Sequence, residues 1–147
     1  MALSLIIPAH NEAAHIEWLL VSLEADIARG ALVFVVANGC SDDTVARAQA
    51  FRGVTVLDIA TPSKIAALRE GDRAAGDNFP RLYVDADIVI APGSIEKLER
   101  ALLSDAVKAV APRVVFDESE ASLAVRGFYE WRRRHPWAGP WQATHLA

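Results

Sequence analysis

An α/β fold with a mostly parallel sheet is the class this sequence predicts, and three observations carry it. Short aliphatic runs alternate with amphipathic ones almost from the first residue, the order that builds strand–helix–strand units. Hydrophobic residues make up 52% of the 147 residues and mean hydropathy is +0.19, as expected when strands are covered on both faces. Polar residues recur just after each aliphatic run, where an open parallel sheet places its ligands.

Residues 3–9 read as the first strand. Ile16, Leu19, Leu20, Leu23 and Ile27 then recur at the spacing of one apolar helix face, and Asn11 or a neighbour is the expected opening of that helix. Residues 31–37 form a second buried strand, and Asn38-Gly-Cys-Ser41 turns into a helix over 42–51, with Asp42 and Asp43 against its positive dipole end. Residues 54–59 are a third strand, followed by a helix from Lys64 to about Ala75. The fourth strand is predicted over 81–89, before Ala91-Pro-Gly93 stops it. Ile95, Leu98 and Leu102 mark another helix, and 106–115 is a strand-like run in which Pro112 indicates an end or an edge. From Asp117 the character changes: Trp131, Trp137, Trp141 and Arg132-Arg-Arg-His135 crowd a tail, with a helix predicted over 119–134. The expected organisation is therefore a domain over 1–116 and a helical, Trp/Arg-rich tail over 117–147.

Composition narrows the function. Fifteen basic against 19 acidic residues give a formal charge of −4, which argues against nucleic acid as a partner. Cys40 has no second cysteine to pair with, and the N-terminus shows no basic region or cleavage signal, so the cytoplasm is the expected location. No apolar run approaches the roughly 20 residues of a membrane helix. Any membrane contact is expected to be peripheral, at the cytoplasmic face.

The segment Arg81-Leu-Tyr-Val-Asp-Ala-Asp-Ile-Val-Ile90 carries the sharpest chemical signal. In an extended chain Asp85 and Asp87 point the same way. At roughly 6–7 Å apart, two carboxylates repel by about 2–3 kcal/mol at an effective dielectric of about 20. A divalent cation that also grips a diphosphate removes that cost, and two carboxylates suit Mg²⁺ or Mn²⁺, which fill their remaining positions with phosphate oxygens and water. A capping or solvated pair at a strand exit is the plainer alternative. Zinc is disfavoured, since Cys40 and four scattered histidines lack ligand spacing.

Other strand ends offer matching groups. Pro8-Ala-His-Asn-Glu12 follows the first strand, and Asn11 and Glu12 suit a ribose or base, although a helix cap through Asn11 explains the same residues. His10 and His15 carry less weight. Gly39 fits the positive φ of a tight turn, with Asn38 offering its amide to a nucleobase edge. Cys40 reads as small packing rather than a nucleophile. Lys64 opens a helix, where the dipole disfavours a cation, which points to a role in holding anionic phosphate.

Taken together, Ile6-Ile-Pro-Ala-His-Asn-Glu12, Val35-Val-Ala-Asn-Gly-Cys-Ser-Asp-Asp-Thr44, Lys64-Ile-Ala-Ala-Leu-Arg-Glu-Gly71 and Asp85-Ala-Asp87 resemble the family-2 glycosyltransferases of the GT-A fold. The resemblance covers about residues 3 to 115. It implies a three-layer, Rossmann-like α/β/α domain with a nucleotide pocket lined by Pro8, Ala9, Asn11 and Glu12. It also places Lys64 near the nucleotide, Asp85 on ribose or metal-bound water, and Asp87 on the metal. The donor is then a nucleotide-diphosphate sugar, and the reaction an inverting transfer to an acceptor hydroxyl. Where the family usually has paired aspartates before the glycine, this chain has Ala37-Asn38, which leaves uridine and guanosine both open. None of Asp117, Glu118, Glu120 and Glu130 stands in a context resembling the catalytic loop. The C-terminal part is therefore expected to be truncated, the tail being the start of an incomplete acceptor-binding region without the catalytic base.

The alternative function is a catalytically incomplete nucleotide-sugar-binding or assembly module. Its tail, residues 128–147, would serve homo-oligomerisation or peripheral membrane contact. Other enzymes on similar sheets fit less well, because the first strand lacks a glycine-rich phosphate loop and no Gly-x-Gly-x-x-Gly occurs.

Overall fold

Every residue of β1 (Ser4–Ala9) is buried. In the computed structural model this strand lies between β2 (Leu32–Asn38) and β4 (Arg81–Tyr83), with β3 (Val54–Ile59) beyond β2, and every pair is parallel. The structure describes residues 3–103, 107–112 and 122–134. The chain divides into two compact units, Met1–Glu96 and Lys97–Ala147.

The period-2 alternation of β1 separates two apolar layers in the first unit. Leu3, Leu5, Ile7 and Ala9 face one side, where Ile16, Leu19 and Leu20 of α1 (Ile16–Ser22) and Ala48 of α3 (Thr44–Gln49) cover them. Ile6 faces the other side, with Phe34 of β2 and with Ala75 and Leu68 of α4 (Lys64–Ala75). The result is the three-layer α/β/α arrangement. Gly71 makes the second layer tight: a Cβ there would lie 2.4 Å from Ile6 Cγ2, so only a glycine lets α4 sit this close to β1.

The apolar face predicted over 16–27 is divided between two helices, α1 and α2 (Glu24–Ala28). The Ser22 hydroxyl donates back to the Leu19 carbonyl at 2.7 Å, a bond that competes with helix continuation and bends the chain. Asn11 does not open α1; its φ of 55° and the start of the helix at Ile16 put it in a turn. Nor is β4 as long as predicted. The ladder stops after Tyr83, its last link being Val84 N–H to the Ile6 carbonyl at 3.1 Å. Val84 and Ala86 nevertheless stay buried while Asp85 and Asp87 are exposed, so the alternation outlives the pairing.

α5 (Ser94–Leu102) follows, and its Ile95 joins the core of the first unit. In the second unit, α6 (Leu123–Arg134) falls within the helix predicted over 119–134 and carries Phe128 against Trp131, ring centroids 6.2 Å apart. Residues 107–112, the described part of the predicted fifth strand, contain no strand. Asp117, Glu118, Glu120, Trp137 and Trp141 lie outside the described residues. Among the described residues no helix is long and apolar enough to cross a membrane.

Candidate functional site

The carboxyl ends of all four strands open onto one crevice of about 350 Å³. Pro8, His10 and Glu12 line it from the end of β1, and Asn38 from the end of β2. Pro62 and Lys64 come from the β3–α4 connection, and Asp85, Ala86 and Asp87 from the segment after β4.

The turns after β1 and β2 are bonded into one body. Asn11 Oδ1 accepts from the Ser41 N–H at 2.8 Å and the Ser41 hydroxyl at 3.3 Å. Glu12 N–H donates to Thr44 Oγ1 at 2.8 Å, and Ala13 N–H to Asp42 Oδ2 at 3.0 Å. The other Asp42 oxygen accepts from the Thr44 N–H at 3.1 Å and the Thr44 hydroxyl at 2.5 Å. Burial tends to raise the Asp42 pKa, but these hydrogen bonds outweigh it and hold the carboxyl below its ordinary value. Asn11 thus serves the site from beside it. Its left-handed φ, which asparagine tolerates, aims its side chain across the gap.

Asn38 is only 3% exposed. Its Nδ2 donates to the Ala9 carbonyl at 2.8 Å, so the amide expected to meet a nucleobase is engaged with β1 instead. Ala9, 1% exposed, lies beneath the crevice and does not line it. His10 Nδ1 lies 2.6 Å from the Asn38 carbonyl oxygen. The turn beyond Asn38 is pressed onto the next connection, because a Cβ on Gly39 (φ 61°) would meet Pro62 Cβ at 2.9 Å. That contact fixes Pro62 in the wall.

Lys64 is the first residue of α4, whose N-cap Ser63 accepts from the Ala66 N–H at 3.3 Å. The Lys64 ammonium reaches across to Asp85 Oδ1 at 2.5 Å. Among the lining residues, Glu12, Asp85 and Asp87 supply three carboxylates against the one ammonium of Lys64, leaving two negative charges unbalanced. Such a wall repels an anionic ligand unless a cation accompanies it. Among the described residues no group of three or more His, Cys, Asp or Glu side chains gathers as a metal cage. Asp85 and Asp87 offer two carboxylates, the donor set of a cation that completes its shell with phosphate and water.

Of the residues singled out from the sequence, Pro8, Glu12, Asn38, Lys64, Asp85 and Asp87 come together on the crevice, and Ala9 and Asn11 support it. His10, Pro62 and Ala86 line it as well. For His10 a signal was legible: it lies inside the strand-end run, between residues already singled out.

The family model for glycosyl transferase family 2 matches residues 4–142. A search of curated proteins finds no match. The chain is similar to the crystal structure of glucosyl-3-phosphoglycerate synthase from Mycobacterium tuberculosis in complex with uridine diphosphate. In that comparison the TM-score is 0.62 and the identity 26%, over 90% of this chain and 50% of that one. It is also similar in fold to TarS residues 1–349 from S. aureus, with a TM-score of 0.56 and 22% identity over 83% of this chain and 40% of that one. The chain therefore spans half the length, or less, of these two structures.

Proposed function

Given that the chain belongs to glycosyl transferase family 2, we propose that its crevice binds a nucleotide-diphosphate sugar for inverting transfer to an acceptor hydroxyl. The observation that carries this reading is the convergence of four strand ends on one crevice, with Asp85, Asp87 and Lys64 in the same wall. A structural relative with uridine diphosphate bound, 26% identical, supports a nucleotide as occupant.

In this reading Asp87 and Asp85 hold Mg²⁺ or Mn²⁺, which when bound neutralises the diphosphate as it leaves. Lys64 adds a second positive charge to the leaving group and moves off Asp85 to do so. Glu12 and the backbone of the Pro8 turn face the nucleoside. In the transfer itself, a base takes the acceptor proton, the acceptor oxygen bonds to the anomeric carbon, and the bond from that carbon to the diphosphate breaks. Donor binding is the part of this reaction that the crevice residues account for. A reducing compartment such as the cytoplasm suits Cys40, a free thiol beside the crevice turns.

Calorimetric titration of the full chain with UDP and GDP, with and without Mn²⁺, tests the reading. Binding that requires Mn²⁺ and is lost in Asp87→Ala is the expected result. Binding of neither nucleotide, or binding indifferent to both the cation and Asp87, would overturn it.

A further inference from the structure

We propose that His10 reads the nucleobase, selecting one that presents a ring N–H, as uracil and guanine do, over one with a bare ring nitrogen, as in cytosine and adenine. This rests on the donor-binding reading and adds to it the class of base.

The argument starts from one hydrogen bond. His10 Nδ1 lies 2.6 Å from the Asn38 carbonyl oxygen, and a carbonyl oxygen only accepts, so Nδ1 carries the hydrogen. In the neutral ring the remaining nitrogen, Nε2, is then a lone-pair acceptor. The Asn38 carbonyl has fixed the tautomer. The ring lines the crevice, and among the described residues no hydrogen bond engages Nε2.

Position supplies the second step. Lys64 and Asp85 meet at 2.5 Å, and with Asp87 they mark the charged portion of the crevice, suited to a diphosphate and its cation. The rest of the lining is Ala86, Pro8, Pro62, Asn38 and Glu12, whose Oε2 lies 3.0 Å from His15 Nδ1. The Asn38 amide is already engaged with the Ala9 carbonyl. A partly apolar wall in which an imidazole acceptor stands beside prolines and polar side chains suits a flat base read along its hydrogen-bonding edge. Uracil N3–H and guanine N1–H complement that acceptor, whereas cytosine N3 and adenine N1 set lone pair against lone pair.

The test titrates the full chain, in Mn²⁺, with UDP, CDP and N3-methyl-UDP, using wild type and His10→Asn. An asparagine amide replaces the Nδ1 donor toward Asn38 but has nothing at the place of Nε2. Wild type is expected to bind UDP about tenfold or more tightly than either of the other two. In His10→Asn the three affinities converge while the melting temperature holds. Equal binding of all three by wild type, or a UDP preference that survives in the variant, would overturn the assignment of His10 and leave the donor-binding reading standing. If no nucleotide binds, that reading fails and this one with it. Should His10→Asn fold poorly, UDP against N3-methyl-UDP on wild type decides alone.

Discussion

Lys64 Nζ lies 2.5 Å from Asp85 Oδ1, joining the first turn of α4 to the segment after β4 across the mouth of the crevice. Both side chains are more than half exposed, at 61% and 57%, so the pair contributes less than about 1 kcal/mol to folding. Its importance is electrostatic. Lys64 occupies the carboxylate that a divalent cation would use, and the same ammonium suits the diphosphate that accompanies the cation.

Lys64→Ala should therefore separate two affinities. Mn²⁺ alone is expected to bind several-fold more tightly, since Asp85 loses its competing counter-ion. UDP in saturating Mn²⁺ is expected to bind about tenfold more weakly, through loss of a charge-assisted contact. Calorimetry with the metal alone and then with the nucleotide measures both, and movement of the two affinities in the same direction would contradict this role.

Asn11 combines a left-handed backbone with a side-chain bond to Ser41. Asn11→Gly keeps the backbone at ease and loses the bond, whereas Asn11→Ala loses the bond and strains the backbone by a further ~1 kcal/mol. Denaturant unfolding should rank the variants wild type, then Gly, then Ala. Both should weaken nucleotide binding, because the turn that carries His10 and Glu12 is no longer tied to Ser41.

Gly71→Ala places a methyl group 2.4 Å from Ile6 Cγ2, which belongs to a fully buried side chain. Overpacking of this kind costs about 1–3 kcal/mol. The expected result is a lower denaturation midpoint with an unchanged slope, measured by urea titration.

Asp42 links stability to acid. Its carboxyl is held below the ordinary value of 3.8, so the folded state binds that proton less readily than the unfolded chain does. The stabilisation is complete above pH 3.8 and is lost as pH falls through the lowered folded value. Asp42→Asn should therefore be less stable than wild type at neutral pH, and the difference should shrink below about pH 4. Melting temperatures across that range measure it.

Much of this arrangement was legible in the sequence, and the exceptions have physical reasons. The aliphatic runs became four parallel strands, of which the central β1 and β2 are buried by layers on both faces, as unbroken apolar runs announce, while β3 and β4 flank them partly buried. The end of β4 was not legible. Residues 84–87 keep the in–out alternation of a strand after the ladder has stopped, and alternation is all that a sequence displays. The role of Asn11 was hidden for a similar reason: the same asparagine suits a cap or a left-handed turn, and only Ser41, 30 residues away, decides between them. Asn38 and His10 exchanged weight on the same ground. Which of them is occupied depends on the Ala9 and Asn38 carbonyls, groups that every residue possesses.

The central claim is that four strand ends hold a single nucleotide. Mapping amide chemical shifts while UDP and Mg²⁺ are added to the full chain tests it most directly. The account predicts that His10, Gly39, Lys64 and Ala86 shift together with one binding constant. Shifts confined to α6, or to Gly53 and Arg81 at the opposite ends of the strands, would contradict it.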